Sequence, residues 1–361
     1  MPTNATSRRN MVRLFVVAGL AVAGIVAAVA YPASRHAGGV AVKGPSKAPS
    51  VCTHYASTAG NDRGPGTKAR PFLTAQRLVS SLRPGATGCF LGGRYVQDVT
   101  IRHGGTDTAP ITIRSAPGDS AVLQGRLWIA DSANWVVVTH LQLDGRNDNL
   151  LPSPTIDGDH VTFSYDSVTN NKMGGLHDGD GICFDLGDST GHYGYAYGTR
   201  IVHDRIHDCG TSDNHNHGIY VAGSYNAVIT DNWIYDNGDR GIQLYPDAHN
   251  TLIERNIIAG NGEGVIFSGD ETHASSGNIL IHNVIVGSTI RHNVEYWWPG
   301  PVGTNNVVKE NCIYGGHTGN ILQPSIGYSI VGNLIVAPKF VAGAQLTGIK
   351  PKTACAAFAP R

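Results

Sequence analysis

Short runs in which apolar and polar residues alternate recur through the second half of the chain. Four of them begin with a glycine: Gly181-Ile182-Cys183-Phe184, Gly218-Ile219-Tyr220-Val221, Gly241-Ile242-Gln243-Leu244 and Gly264-Val265-Ile266-Phe267. Alternation with a period of two predicts short β-strands that bury one face. In each run, the residues after the glycine and at the end are expected to face a core, and the residue between them to face outward.

A second pattern, a polar residue followed by any residue and then an apolar one, repeats along the same region. It occurs at Asp166-Ser167-Val168, Asp204-Arg205-Ile206, Asn232-Trp233-Ile234, Asn256-Ile257-Ile258, Asn283-Val284-Ile285, Asn311-Cys312-Ile313 and Asn333-Leu334-Ile335. Successive copies lie 22 to 38 residues apart. Short strands joined by Asn, Asp and Gly turns once per ~24 residues predict a right-handed parallel β-helix, because the blades of a propeller need ~40 residues.

Coils of such a helix stack about 4.7–4.9 Å apart, so equivalent residues form ladders. The recurring asparagines from Asn232 to Asn333 are therefore expected to be structural, with hydrogen bonds along their ladder and to the turn backbone. The end of a β-helix needs a cover over its unpaired strand edges. Residues 73–83 have an apolar helical face, and Pro84-Gly85 follows it. The predicted fold class is all-β, a right-handed parallel β-helix (solenoid) with a short N-terminal capping helix.

Composition excludes several other classes of protein. The 46 glycines and the 15% of charged residues argue against a helical bundle or coiled coil, and 41% hydrophobic residues argue against disorder. The 27 basic residues are balanced by 27 acidic ones. Since a polyanion requires a basic face, nucleic acid is not an expected partner.

The N-terminus has the pattern of an export signal. A basic segment ending at Arg13 precedes an uncharged apolar run from Leu14 to Ala30, and Ala28-Val29-Ala30 fits a cleavage site. We predict an export signal over residues 1–30, with an uncleaved membrane anchor as the alternative, because 17 residues is the lower limit of the roughly 17–25 that span a bilayer. The composition of residues 31–50 predicts a linker, and residues 51–361 form the predicted β-helix domain.

Export also changes the interpretation of the six cysteines. In an oxidising compartment they are expected to form three disulfides, for which fifteen connectivities exist. We predict Cys52–Cys89 near one end of the domain, Cys183–Cys209 in its middle and Cys312–Cys355 at the other end.

The first part of the domain resembles a known family. The segment from Ala56 to Phe72, together with Pro84-Gly85 and Gly92-Gly93-Arg94-Tyr95, is similar to the opening of many secreted parallel β-helix proteins of the pectate-lyase-like superfamily. The resemblance covers roughly residues 52–345 and implies the same fold. Members include polysaccharide lyases, hydrolases and epimerases as well as binding and adhesion proteins, so the fold alone does not assign a reaction. The acidic clusters and catalytic lysine of calcium-dependent pectate lyases are missing, as are the Asp-Asp and Gly-His-Gly motifs of polygalacturonase-type hydrolases, which argues against pectin as the substrate.

Ionisable residues immediately precede the glycines of the four runs. Asp180, His217, Arg240 and Glu263 are therefore expected to form one strip along the helix. Further candidates adjoin the strip or lie one coil beyond it: Asp239, His215, Tyr220, Gln243, Tyr245, Glu295 and Trp297. If adjacent coils are in register, His217 and Arg240 lie one ladder spacing apart.

This combination of side chains suits proton abstraction from C5 of a uronate. Such a step needs a base and a cation that stabilises the enolate-like charge, which His217 and Arg240 would supply, while Tyr220 or Tyr245 handles a second proton. Related β-helix epimerases and some lyases are similar in setting a His and an Arg on adjacent coils. The predicted function is thus an exported polysaccharide lyase or C5-epimerase.

Two other functions remain open. Paired carboxylates, such as Asp239 with Glu263 or Asp180 with Asp185, would allow inverting hydrolysis at a separation of about 6.5–9.5 Å. The third alternative is a non-catalytic carbohydrate-binding or structural β-helix. No cofactor is required by any of these, although the Asp-rich segment from Lys172 to Gly198 makes Ca²⁺ a candidate ion. We expect a monomer whose partner is a polysaccharide and which contacts a membrane only through an uncleaved N-terminal segment.

Overall fold

The computed structural model describes residues 51–174, 181–212, 214–339 and 354–361. These residues fall within one compact unit, Lys47–Arg361. The predicted export signal and linker, residues 1–50, lie outside the described residues, and so does Asp180.

Within the described ranges, three parallel sheets run side by side, with strands numbered β1 to β29 along the chain. Sheet 1 contains β1 (His54–Ala56), β2 (Thr87–Phe90), β5 (Ile111–Ser115), β8 (Val136–Thr139), β11 (Thr162–Ser164), β15 (Arg200–Val202), β18 (Val228–Thr230), β21 (Leu252–Glu254), β24 (Ile279–Ile281), β27 (Asn306–Lys309) and β29 (Tyr328–Val331). Sheet 2 contains β4 (Val99–Ile101), β7 (Leu127–Ile129), β10 (Thr155–Ile156), β13 (Phe184–Leu186), β17 (His217–Tyr225), β20 (Arg240–His249), β23 (Glu263–Ser268) and β26 (Val294–Trp297), with β14 (Ala196–Tyr197) paired to β17. Sheet 3 contains β3 (Gly93–Val96), β6 (Ala121–Gln124), β9 (Gln142–Asp144), β12 (Ser167–Thr169), β16 (Arg205–His207), β19 (Trp233–Tyr235), β22 (Ile257–Ala259), β25 (Val284–Val286) and β28 (Cys312–Tyr314).

The order of the strands defines a coil that repeats. The chain passes from sheet 1 to sheet 3 to sheet 2 and returns to sheet 1 one rung further along, as in β18, β19 and β20 followed by β21. Neighbouring coils pair in parallel, for example Ile229 with Ile253. The predicted right-handed parallel β-helix is confirmed.

The core consists of columns of apolar side chains that point inward from equivalent strands. Ile219, Ile242, Val265 and Val294 are aligned across four coils of sheet 2, and all four are fully buried. The alternation in the sequence predicts these columns, because a strand that buries one face places every second residue inward.

One coil departs from the register that the glycine runs predict. Aligning Gly181 with Gly218 pairs Phe184 with Val221, whereas the structure pairs Phe184 with Ile219. The two-residue difference arises because Gly181 lies in a turn with φ of 112°, before β13 begins, whereas Gly218 lies inside β17.

The asparagine ladder lies at the turn between sheets 1 and 3. The backbone N–H of Asn232 donates to Oδ1 of Asn256 at 2.9 Å, and the same bond recurs from Asn256 to Asn283 and from Asn283 to Asn311. The side-chain amide of Asn256 also donates to the carbonyl of Ile229 at 2.8 Å. The asparagines are therefore structural, as the repeat predicts.

The N-terminal end is covered by helix α1 (Ala75–Ser81), within the predicted segment. Thr74 caps the helix by accepting the N–H of Arg77 through its side chain, and Leu78 is fully buried on the inner face of the helix. A short 3₁₀ helix, Ala354–Phe358, lies near the C-terminus. No helix in the described ranges is long and apolar enough to cross a membrane.

The three predicted disulfides are confirmed. Cys52 bonds to Cys89, Cys183 to Cys209, and Cys312 to Cys355, with Cα–Cα distances of 5.7, 5.7 and 5.6 Å. Three bonds of this kind are consistent with a protein that folds in an oxidising compartment.

Candidate functional site

A groove of about 520 Å³ lies on the outer face of sheet 2, across β17, β20, β23 and β26. It is lined by Ile182, Asn214, His215, His217, Tyr220, Arg240, Gln243, Tyr245, Ile266, Ser268, Arg291, Glu295, Tyr296 and Trp297. Eight of the predicted site residues are in this set: His217, Arg240, Tyr220, Tyr245, His215, Gln243, Glu295 and Trp297. Two more, Asp239 and Glu263, are buried behind the groove.

The strands bring these residues together in two columns. In the first column, His217 pairs with Arg240 and Arg240 with Glu263, so the predicted register of these three coils is confirmed. In the second column, Tyr220 is followed by Gln243, Ile266 and Glu295 on successive coils. Because adjacent coils are about 4.8 Å apart, residues from neighbouring coils can contact the same small ring.

Two buried acids hold two arginines at the floor of the groove. Arg240 donates through Nε to Glu263 at 3.0 Å and through Nη1 to Asp239 at 3.0 Å. Arg291 donates to the same two acids, through Nε to Glu263 at 3.0 Å and through Nη2 to Asp239. Glu263 is 0% and Asp239 1% exposed, so these carboxylates fix the guanidinium groups rather than contacting a ligand.

Arg240 is restrained further by Asn214. Its Nη1 donates to the backbone carbonyl of Asn214 at 2.7 Å, and its Nη2 donates to the side-chain oxygen of Asn214 at 2.9 Å. The guanidinium group is thus held before any ligand arrives, which reduces the entropy lost on binding an anion.

Arg291 is the main residue that the sequence reasoning missed. It lies outside the glycine runs, and its side chain reaches one coil back to Glu263 and two coils back to Asp239. Its side chain is 26% exposed and lines the groove. The glycine runs carry no signal for it, because Arg291 lies in the turn before β26 and the burial of the two acids is not visible in the sequence.

The environment of His217 favours the neutral imidazole. The residue is 3% exposed, and its Nδ1 lies 3.9 Å from Oδ2 of Asp239, beyond hydrogen-bond distance. Burial, with the positive charge of Arg240 and the neighbouring His215 and Arg291, holds the pKa of His217 well below its usual value. A neutral imidazole has a free electron pair, so it can accept a proton from a substrate.

Three aromatic side chains continue from His217 along the groove. The rings of His217 and Tyr220 are 5.6 Å apart, those of Tyr220 and Tyr245 are stacked at 6.3 Å, and those of Tyr245 and Trp297 lie at 6.2 Å. Burial raises the pKa of Tyr220, so its phenol remains protonated and can act as a donor. Trp297 is 54% exposed, which leaves an apolar surface for a sugar face.

Glu295, at the edge of the groove, binds its own turn. Its Oε1 accepts the backbone N–H of His292 at 2.9 Å and lies 2.6 Å from the ring Nδ1 of His292.

Neither pair of carboxylates considered for hydrolysis is presented as a pair to the groove. Asp239 and Glu263 are buried in ion pairs with the arginines, and the second pair includes Asp180, which lies outside the described residues. Burial raises the pKa of Asp185 to about 8. Within the described ranges, no group of three or more His, Cys, Asp or Glu side chains is arranged to hold a metal ion, while Asp178 and Asp180 of the predicted Ca²⁺ segment fall outside these ranges.

The comparison with family models identifies the class of protein. Residues 155–335, half of the chain, match the family described as the right handed beta helix region, and the chain belongs to that family. Among curated proteins, a stretch of 71 residues is 34% identical to the uncharacterized protein YwoF of Bacillus subtilis (strain 168). This match spans 20% of the chain and only 15% of YwoF.

Solved structures with a similar fold include enzymes that act on carbohydrates. One is a glycoside hydrolase, with a TM-score of 0.57, 9% identity and coverage of 78% of this chain and 95% of that one. Another is the A-module of the mannuronan C-5 epimerase AlgE4 from Azotobacter vinelandii, with a TM-score of 0.52, 15% identity and coverage of 69% and 68%. At these identities the likeness shows the fold alone.

Proposed function

We propose that the protein is an exported polysaccharide lyase or C5-epimerase that acts on a uronate-containing glycan. The observation that carries the proposal is the arrangement of a buried neutral His217 next to two guanidinium groups, Arg240 and Arg291, that are held in place by buried acids. The general likeness to carbohydrate-active β-helix enzymes agrees with this class of substrate.

The first step is removal of the C5 proton. Arg240 and Arg291 bind the carboxylate of the uronate, and their positive charge stabilises the enolate-like anion that forms when the proton leaves. The neutral imidazole of His217 takes that proton. Arginine suits this role because it stays charged at any physiological pH, and the N–H groups that Arg240 and Arg291 do not use for Asp239, Glu263 and Asn214 remain to donate to the carboxylate.

The second proton distinguishes a lyase from an epimerase. In a lyase, the electron pair left on C5 forms a double bond to C4 and expels the glycosidic oxygen, which the phenol of Tyr220 protonates. In an epimerase, Tyr220 returns a proton to C5 from the opposite face, and no bond of the chain breaks. Tyr245, stacked beside Tyr220, is the second candidate for this proton transfer.

A single incubation with a panel of uronate polymers tests the reaction class. A lyase generates an unsaturated sugar that absorbs in the ultraviolet, and an epimerase changes the uronate composition measured by NMR without shortening the chain. New reducing ends without ultraviolet absorbance would instead identify a hydrolase, and no product at all would favour a binding protein.

Substitution of the base is the specific prediction. His217→Ala is expected to reduce kcat/KM by about 10²–10⁴-fold, because a positioned general base contributes that much to proton transfer. His203→Ala, in the turn between β15 and β16, is the matched control and should retain wild-type activity. Full activity of His217→Ala, with the variant folded by circular dichroism, would refute the role of this histidine.

The proposal extends to the location of the protein. Residues 1–30 act as an export signal or anchor and 31–50 as a linker to the β-helix domain, 51–361. The three disulfides support an oxidising destination.

A further inference from the structure

A second cluster of positive charge lies on the outer face of sheet 2, toward the N-terminal end. The guanidinium carbon of Arg102 is 5.3 Å from the ring centre of Trp128, and that of Arg126 is 5.2 Å from it. Arg126 lies immediately before β7, two residues ahead of Trp128. Arg102 directly follows β4, the adjacent strand in sheet 2. Two arginines from neighbouring coils are thus gathered on one indole.

The indole itself is fixed. Its Nε1 donates to Oδ2 of Asp157 at 2.6 Å, and the ring of Tyr193 contacts it edge-on at 6.3 Å. An anchored tryptophan restricts the directions that both guanidinium groups can take, because a cation above an aromatic face is attracted to it.

Neither arginine is neutralised by a direct ion pair. Among the described residues, no carboxylate oxygen lies within 4.0 Å of the side-chain nitrogens of Arg102 or Arg126, in contrast to Arg240 and Arg291. Arg126 donates to the hydroxyl of Thr155 at 3.3 Å, while its buried Nε has no hydrogen-bond partner in the described part of the chain. The carboxyl groups of Asp98, Asp157 and Asp185 lie near enough to act on the charge of Arg126, but none of them bonds to either guanidinium group, so both arginines keep N–H donors for an anion.

The cluster is aligned with the groove. Trp128 pairs with Thr155, Thr155 with Asp185, and Asp185 with Tyr220, so the indole is in the same outward column, three rungs from Tyr220. Three rungs correspond to about 14 Å. This distance exceeds a single sugar ring, so one ligand that reaches both sites must be an oligosaccharide or polymer.

The acid in the column between the two sites, Asp185, carries reduced negative charge, because burial raises its pKa to about 8. Asp185 is therefore largely protonated at neutral pH, and an anionic chain can pass over it with little repulsion. Asp157, bound to the indole of Trp128, has a pKa raised only to about 6 and stays mostly ionised at neutral pH.

We propose that Arg102 and Arg126 form a distal subsite that binds the carboxylate of a second uronate residue in the same glycan chain. This inference rests on the proposed function, because it takes the ligand in the groove to be a uronate polymer. It predicts that affinity rises with chain length until the glycan spans the distance from His217 to Trp128.

The test is the dissociation constant of uronate oligosaccharides of increasing length, measured by calorimetry with the full-length protein. For wild type, affinity is expected to increase with length and then reach a plateau. For the double variant Arg102→Gln/Arg126→Gln, the longest oligosaccharides should bind about tenfold more weakly or worse, because charge-assisted hydrogen bonds are lost, while the shortest should bind as before. Arg205→Gln, an exposed arginine on sheet 3, is the matched control.

Carboxyl-reduced oligosaccharides of the same lengths supply a second control, since they keep the shape and lose the charge. Equal affinity of the double variant and wild type for every length would overturn the distal subsite, even if the protein proves to be a lyase or epimerase. Length-dependent binding that the double variant loses, without any turnover, would support the subsite and refute the proposed reaction. Failure of every uronate oligosaccharide to bind wild type would overturn both.

Discussion

Arg291 and Arg240 share the same two carboxylates, and this sharing sets the charge around His217. The two acids are fully buried and bond to the guanidinium groups rather than to the imidazole, and burial raises the pKa of Glu263 to about 7. The histidine consequently has cations close to it and a nearest carboxylate oxygen at 3.9 Å. A base in such surroundings is weak but remains unprotonated in mildly acidic solution.

This environment predicts the pH dependence of the reaction. A pKa of His217 held well below 6.5 places the acid limb of the kcat/KM profile at correspondingly low pH, because activity is lost only when the imidazole is protonated. Arg291→Gln removes one of the charges that lower this pKa and should move the acid limb to higher pH, in addition to reducing kcat/KM. Arg205→Gln should leave the limb unchanged.

An acid limb at or above pH 6.5 in the wild-type profile would contradict the assigned base. If the acid limb of Arg291→Gln stays at the wild-type pH while kcat/KM falls, Arg291 binds the substrate carboxylate but does not lower the pKa of His217.

At the scale of the secondary-structure elements, the turn between sheets 1 and 3 carries one polar residue per coil. Asparagine fills this position from Asn232 onward, but the two preceding coils have Asp166 and Asp204. Oδ1 of Asp204 accepts the N–H of Asp166 at 2.7 Å, as an asparagine oxygen would. Its Oδ2, in contrast, is buried with no hydrogen-bond partner among the described residues, at the atom where an asparagine has a donor.

Asp204→Asn is therefore expected to stabilise the protein. Burial and the neighbouring Asp166 raise the pKa of Asp204 well above its usual value. The folded state favours the protonated carboxyl group of Asp204. The stability that this preference adds is complete below the pKa of the group in the unfolded chain and is lost as the pH rises through its pKa in the folded protein. The asparagine variant should be more stable than wild type by about 1–3 kcal/mol at alkaline pH, and the advantage should shrink as the solution is acidified.

Chemical denaturation at several pH values measures this difference. Asn256→Asp makes the reverse change within the same ladder and should lose stability as pH rises. A constant difference between Asp204→Asn and wild type at all pH values would contradict the explanation from protonation.

The strands also show which parts of the fold and of the site could be predicted from the sequence. Glycine-led alternation predicts the columns through β17, β20 and β23, because those three coils are equivalent in length and structure. The same pattern predicts the wrong register for β13. The turn at Gly181 makes that strand begin two residues later, and the alternation of apolar and polar residues contains no sign of this. Arg291 escaped prediction for a related reason, because the reach of a long side chain across coils is not encoded in strand periodicity.

At the scale of the whole domain, each coil contacts chiefly its two neighbours, so stability is approximately a sum of local terms. The disulfide Cys312–Cys355 bonds the C-terminal segment to β28, whereas Cys183–Cys209 lies within the coils that carry the groove. Loss of one bond should accordingly affect the coils beside it more than the rest.

The double variant Cys312→Ser/Cys355→Ser tests this locality. Its loss of stability is expected to be about 2–5 kcal/mol and to be concentrated in the part of sheet 3 that the C-terminal segment covers. Hydrogen exchange should increase in β22, β25 and β28, whose residues Ile257, Val284 and Cys312 pack with this segment, while β17 and β20 retain wild-type protection. Uniformly faster exchange across the domain would show that the coils unfold as one cooperative unit instead.

The asparagine ladder has a consequence for how such a protein can change over evolutionary time. Each asparagine makes the same bonds to the coil before it and the coil after it, from Asn232 to Asn311. A complete coil can therefore be duplicated or deleted at an internal position, and the two cut ends still find matching partners. The groove then lengthens or shortens by whole coils of about 4.8 Å each, so evolution can change the number of sugars that it accommodates one coil at a time.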